Sequence, residues 1–235
     1  MNITFLFLAG IAAIVAWWLA RQRLTAKPWL EAGPIVDTGA SPLPAAKIGL
    51  GVFLAVVGSL FALLISAYSM RTEMGEWKPA PVPNLLWLNT GMLILSSGAL
   101  QWAKVAARRG RMDDVRAGLL AGGIFAFAFL AGQLIAWRQL DSAGYYLTAN
   151  PAAAFFYLIT GVHGLHILGG QVALGRTMDK AWQGVAVGEV RLSVELCATY
   201  WHFLLFVWLV LFSLLLLTDP IESDSGLISW IGRIF

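Results

Sequence analysis

Charge is scarce in this chain. Of 235 residues only 12% are Asp, Glu, Lys or Arg, about half the share of an average soluble domain. No charged residue lies near the middle of any long apolar run, which weighs against a proton pump, ion channel or coupled transporter, whose paths are marked by intramembrane ionisable groups. Cysteine is scarcer still: Cys197 stands alone, so no internal disulfide forms and a secreted disulfide scaffold is excluded. Three histidines, His163, His166 and His202, are too few for a multi-metal site built from histidine boxes. In place of charge the chain has 59% hydrophobic residues, 11 Trp and a mean hydropathy of +0.73. That is more apolar surface than a water-facing fold can hide, so the sequence reads as an integral membrane protein. The sequence pI of about 9.2 would suggest nucleic acid only in a soluble protein, and no nucleic-acid partner is expected.

A spanning helix needs ~20 mostly apolar residues to cross ~30 Å of hydrocarbon. Six runs qualify, at residues 3–20, 48–70, 84–103, 117–137, 152–174 and 197–217. They are apolar all round, without the ~10-residue alternation of barrel strands. The predicted fold class is therefore all-α, a polytopic membrane helix bundle of about six transmembrane helices. Twelve of the 16 basic residues fall in alternate connectors: Arg21, Arg23, Lys27 and Lys47, then Lys104, Arg108, Arg109, Arg111 and Arg116, then Arg176, Lys180 and Arg191. The other four are Arg71, Lys78, Arg138 and Arg233. By the positive-inside rule the amino and carboxyl ends both face outward.

Three regions follow. Residues 1–46 hold an uncleaved first helix, which lacks a basic n-region, and a cytoplasmic connector broken by Pro28, Pro34, Pro42 and Pro44. Residues 47–218 form a five-helix membrane domain. Residues 219–235 form a short tail, too short to span, that is expected to lie at the interface as a short helix.

His163 and His166 share one face of the fifth run, three residues apart. His202 lies five residues into the sixth. One haem held by His166 and His202 is sterically conceivable, which would make the chain an independent single-haem membrane cytochrome. The competing expectation is hydrogen bonding between helices, with Thr160, Tyr200, Gln133 or a lipid headgroup as partners, because polar groups in hydrocarbon must be satisfied. Glu195, just before the sixth run, is placed to pair with Arg191 or Arg176. Gly161, Gly164, Gly169 and Gly170, with Gly122, Gly123 and Gly132 on the fourth run, offer flat faces for close helix packing.

Four segments resemble subunit III of the haem-copper oxidases, the cytochrome c oxidase type. LNTGMLILSSGALQWA (Leu88 to Ala103) is similar to the family's Leu-Asn-Thr helix with its Ser-Ser pair and terminal Trp, and GQLIAWRQL (Gly132 to Leu140) to its Gly-Gln…Trp helix end. FFYLITGVHGLHILGG (Phe155 to Gly170) resembles the Thr-Gly-x-His-Gly-x-His helix, and VELCATYWHFLLFVW (Val194 to Trp208) the Glu…Tyr-Trp-His-Phe helix. Order and spacing agree from about residue 47 to 218. Family members with seven helices have the amino end inside, so losing the first helix leaves the six-helix, outward-ended topology read from charge.

Two positions depart from the pattern: Val57 stands where a Ser-Glu pair usually ends, and Leu205 where Asp is frequent. The resemblance implies a divergent, non-catalytic structural and lipid-binding subunit III that stabilises subunit I of a respiratory terminal oxidase. That complex reduces O₂ to water and translocates protons. The implied partners are oxidase subunits I and II, which hold the haem and copper, and membrane phospholipids; no metal or other cofactor is expected in this chain. His163, His166, Glu195, Trp201 and His202 are the expected lipid-binding or structural residues. Localisation follows as the bacterial cytoplasmic membrane or the mitochondrial inner membrane. The same fold would also serve an accessory subunit of a nitric oxide reductase.

Overall fold

The computed structural model describes residues 45–72, 77, 81–148, 150–184 and 187–217. Every regular element among them is a helix: α1 (Ala45–Thr72), α2 (Leu85–Arg108), α3 (Met112–Ser142), α4 (Pro151–Trp182) and α5 (Val187–Leu217). The first run at 3–20, the Pro-rich connector and the tail at 219–235 lie outside the described residues. Four of the five helices are long and apolar enough to cross a membrane: α1 (from Ala46), α3, α4 and α5 (from Val190). The exception, α2, has 24 residues and is ~36 Å long, enough to cross by length. Its apolar content is diluted by Asn89, Thr90, Ser96, Ser97 and Gln101, of which the first four are buried. The chain is thus an all-α membrane helix bundle.

The helices start and stop for local reasons. At the end of α2, Gly110 adopts φ +74°, a left-handed turn that costs glycine no steric penalty. There the Arg111 N–H bonds the Ala106 carbonyl at 3.1 Å and the Gly110 N–H bonds that of Ala107 at 3.4 Å, the paired closure of a Schellman cap. Gly144 repeats the device after α3, with Tyr145 N–H donating to Leu140 O at 3.0 Å. Asn150 caps α4 by accepting from Ala153 N–H at 2.9 Å, and Pro151 occupies the first turn, where its missing N–H is not needed.

The chain divides into two compact units, Met1–Ser66 and Ala67–Phe235. In the first, α1 keeps its Ser59 hydroxyl on the Ala55 carbonyl at 2.9 Å, and Val57 near the helix midpoint is buried. The second holds α2 to α5, which form a closed ring. Packing joins α2 to α3, α3 to α4, α4 to α5 and α5 back to α2. Each pair is antiparallel: Asn89 meets Gln133 while Ser96 meets Gly122, and Thr90 meets Trp208 while Arg108 meets Glu195. Short connectors dictate this, since helices joined by a few residues return beside each other.

At one end of the ring lie Arg108, Arg109, Arg111, Arg116, Arg176, Lys180 and Arg191. Here the helices run past the apolar runs, which stop at 103, 117, 174 and 197, to Arg108, Met112, Trp182 and Val187. Charged residues remain helical once outside hydrocarbon, stabilised by pairs such as Arg111–Asp114 at 2.9 Å and Arg116–Asp113 at 3.3 Å. Glu195 therefore sits within α5, not ahead of its helix.

Candidate functional site

His163 is fully buried at the centre of the ring. From α4 its Nε2–H donates to the Leu204 carbonyl of α5 at 3.1 Å. Its ring packs against Trp208 at 5.1 Å and edge-on to Phe129 of α3 at 5.7 Å between centroids. Trp208 continues the link, its Nε1–H donating to Thr90 Oγ1 on α2 at 2.9 Å, while the Thr90 hydroxyl donates to Leu86 O at 2.8 Å. One chain of contacts therefore touches all four helices. Its chemistry is satisfaction of polar groups in an apolar core, the condition for their stability in a bilayer.

One turn along α4, the His166 Nδ1–H donates to its own helix at Val162 O, 2.8 Å away. Tyr200 Oη donates to the His166 carbonyl at 2.8 Å, so the α5 residue reaches the α4 backbone. Beside it, Trp201 is fully buried. A methyl group at Gly170 would lie 2.7 Å from Tyr200 and 2.9 Å from Trp201, so glycine is required for α4 to approach α5 here. Gly161 and Gly164 face Trp137 and Leu130 at ordinary contact distance, and Gly169 has nothing within 4 Å. Gly169 takes no part in packing within the described chain. The tighter glycine seam lies between α2 and α3. A methyl at Gly118 would meet Ala103 at 2.8 Å and the Ala99 carbonyl at 2.9 Å, one at Gly122 would meet Leu100 at 2.8 Å, and one at Gly132 would overlap Asn89.

His202 occupies a different side of α5. Two residues from Tyr200, it is rotated ~200° around the helix and faces α2, where the Ser97 hydroxyl donates to Nδ1 and Nε2–H donates to Gln101 Oε1 at 3.1 Å. That helix thus holds Tyr200, which reaches α4 at the His166 carbonyl, and His202 on opposite sides, and both ring nitrogens of His202 are engaged by α2. Among the described residues no group of three or more His, Cys, Asp or Glu side chains converges as a metal site.

At the basic end Glu195, largely buried, accepts from Arg108 Nε at 3.2 Å and from Arg191 Nε at 3.4 Å. The pairing with Arg191 follows from i,i+4 spacing; Arg108 comes from another helix, 87 residues away, and no local pattern announces it. The remaining partners proposed for the histidines are used elsewhere. Gln133 accepts from Asn89 at 3.0 Å, and Thr160 accepts from Trp137 Nε1–H at 3.1 Å.

Compared with known proteins, residues 47–217 match the family description "Cytochrome c oxidase subunit III". The chain belongs to that family. The match begins two residues into α1 and ends with the last residue of α5, so it covers the described helices almost entirely. Over 173 residues the chain is 32% identical to cytochrome c oxidase subunit 3 of Thermostichus vulcanus, covering 72% of this chain and 85% of that one. It is 33% identical over 179 residues to the probable cytochrome c oxidase subunit 3 of Mycobacterium tuberculosis, covering 72% and 86%. The corresponding Synechocystis protein is 31% identical over 178 residues, covering 72% and 74%. Within the subunit III family, the Thr-Gly-x-His-Gly-x-His and Tyr-Trp-His-Phe segments of this chain place His163 and His202 on helix seams, whereas the His166 ring bonds within α4.

Proposed function

We propose that this chain acts as subunit III of a respiratory cytochrome c oxidase, a non-catalytic membrane subunit that braces subunit I. The redox centres belong to subunits I and II. The observation that carries the reading is the coincidence of the family match with all five described helices. Consistent with it, the central polar side chains are spent on joining helices. In this reading His163 and Trp201 hold the bundle from inside, whereas Arg108 and Arg191 around Glu195 present exposed guanidinium groups to a phospholipid headgroup at the basic end. The basic end is cytoplasmic, and residues 3–20 supply a sixth span that puts both termini outside. Val57 and Leu205, apolar where relatives often carry carboxylates, hold no proton, so the subunit supports turnover without relaying protons itself.

Affinity purification from native membranes through a tag on this chain tests the assignment. Haem-copper subunits I and II are expected to co-elute; elution without any haem-copper partner would overturn it. A cytoplasm-dependent reporter fused after Phe235 should be silent, and activity there would reverse the topology.

A further inference from the structure

The buried side chains of Thr90, Ser96, Thr160 and Trp208 each find a hydrogen-bond partner. The amide pair formed by Asn89 of α2 and Gln133 of α3 falls short of that. Both residues are buried, 2% and 3% exposed. Asn89 Nδ2–H donates to Gln133 Oε1 at 3.0 Å, and this is the one bond the two amides share. Gln133 Nε2 has no hydrogen-bond partner. Among the described residues none donates to Asn89 Oδ1, which lies against Gly132 where a methyl group would overlap it. A primary amide offers two N–H donors and a carbonyl acceptor, so a donor group and an acceptor stand unmet on two amides already bonded to each other. Exchanging oxygen for nitrogen in both amides reverses the bond and leaves the same deficit.

The neighbouring turns offer no remedy. Leu86 and Leu93 flank Asn89 on its own face of α2, Phe129 and Ala136 flank Gln133 on α3, and all four are fully buried. Unmet amide groups in such apolar surroundings are costly. Solvent is close, however. Asn89 lies one turn inside the first residue of α2, about 6 Å along the helix, at the end of the ring opposite the basic rim.

The chemistry of the deficit selects the ligand. A cation would set positive charge against the Gln133 N–H groups, and an anion would set negative charge against the Asn89 carbonyl. Water both accepts and donates, and buried waters characteristically satisfy polar groups left unpaired by the protein. We propose that one ordered water is bound between Gln133 and Asn89, accepting from Gln133 Nε2–H and donating to Asn89 Oδ1. This end of the α2–α3 seam is then held through water, whereas Gly118 and Gly122 close the seam nearer the basic rim by direct contact. The site belongs to the ring itself and stands whatever complex the chain joins.

Radiolytic labelling in oxygen-18 water tests the site, because hydroxyl radicals generated from a bound water oxidise the side chains beside it even where bulk solvent has no access. The intact complex, purified through the tag on this chain, is exposed to brief X-ray pulses and its peptides are analysed by mass spectrometry. Leu86 or Leu93 should take up oxygen-18, while Leu119, equally buried but about 21 Å from Gln133 along α3, should not. The double variant N89L/Q133M, which replaces both amides by apolar groups of similar size, should reduce the label at Leu86 and Leu93 to the level of Leu119. Label at neither leucine, equal label at Leu119, or label that persists in the double variant would each overturn the proposal. If the double variant does not assemble, a high-resolution density map of the parent complex decides. A peak within hydrogen-bond distance of both amides is expected. Two amides with no third atom between them, or a peak ringed by oxygens alone as a cation would be, would contradict the site.

Discussion

The two seams that flank α2 are closed by different physics. Toward α3, with which it is joined by only three residues, α2 packs backbone against backbone. Gly118, Gly122 and Gly132 remove the side chains that would separate the helices, and Ser96 donates straight to the Gly122 carbonyl at 2.7 Å. Toward α5, about a hundred residues distant in sequence, side chains bridge the seam: Trp208 to Thr90, His202 to Ser97 and Gln101, Glu195 to Arg108. Adjacent Ser96 and Ser97 serve one seam each. A seam of close approach is vulnerable to added atoms, whereas a bridged seam is vulnerable to lost ones.

The largest expected effect comes from adding one carbon to the close seam. G118A places a methyl 2.8 Å from Ala103 and 2.9 Å from a backbone carbonyl that cannot move aside. It should destabilise the bundle by about 1–3 kcal/mol, read as lowered thermal stability of the purified complex. The same substitution at Gly169, where space is open, should be neutral; equal losses at both positions would erase the distinction between seams.

Next comes the ionic bridge. E195Q removes the carboxylate shared by Arg108 and Arg191. The guanidinium side chains are 52% exposed, so the loss should be about 1 kcal/mol and should shrink as salt is raised. A salt-independent loss would mean that Glu195 acts through packing. Smallest is T90V, which keeps the side chain's shape and deletes the acceptor of the Trp208 indole N–H. It should cost about 0.6 kcal/mol, the mean for interhelical hydrogen bonds in a bilayer, and in a W208F background it should add almost nothing because the two groups form one interaction.

What the sequence made legible divides along the same line. Apolar runs located the helices because every span needs the same length of hydrocarbon-compatible residues. The basic ends were misjudged by five to ten residues, since hydropathy registers where hydrocarbon stops and not where helix stops. Gly170 was recognisable as a packing residue, but Gly169 beside it points the other way, and only the helical phase of a partner separates the two. The polar partners were the least accessible. His163 meets a backbone carbonyl, which has no sequence signature, and the Ser97–His202 contact joins residues 105 apart. Family resemblance recovered the histidine motifs without revealing what they touch.

The most direct test of the account is the haem content of the oxidase, per catalytic subunit, in complexes purified with and without this chain. If the histidines of α4 and α5 serve helix seams, the two preparations will carry equal haem, and H166A in the intact complex will leave the Soret absorbance unchanged. Loss of one haem for each copy of this chain removed, or with H166A alone, would show that the chain carries a redox centre of its own and contradict its role as a supporting subunit.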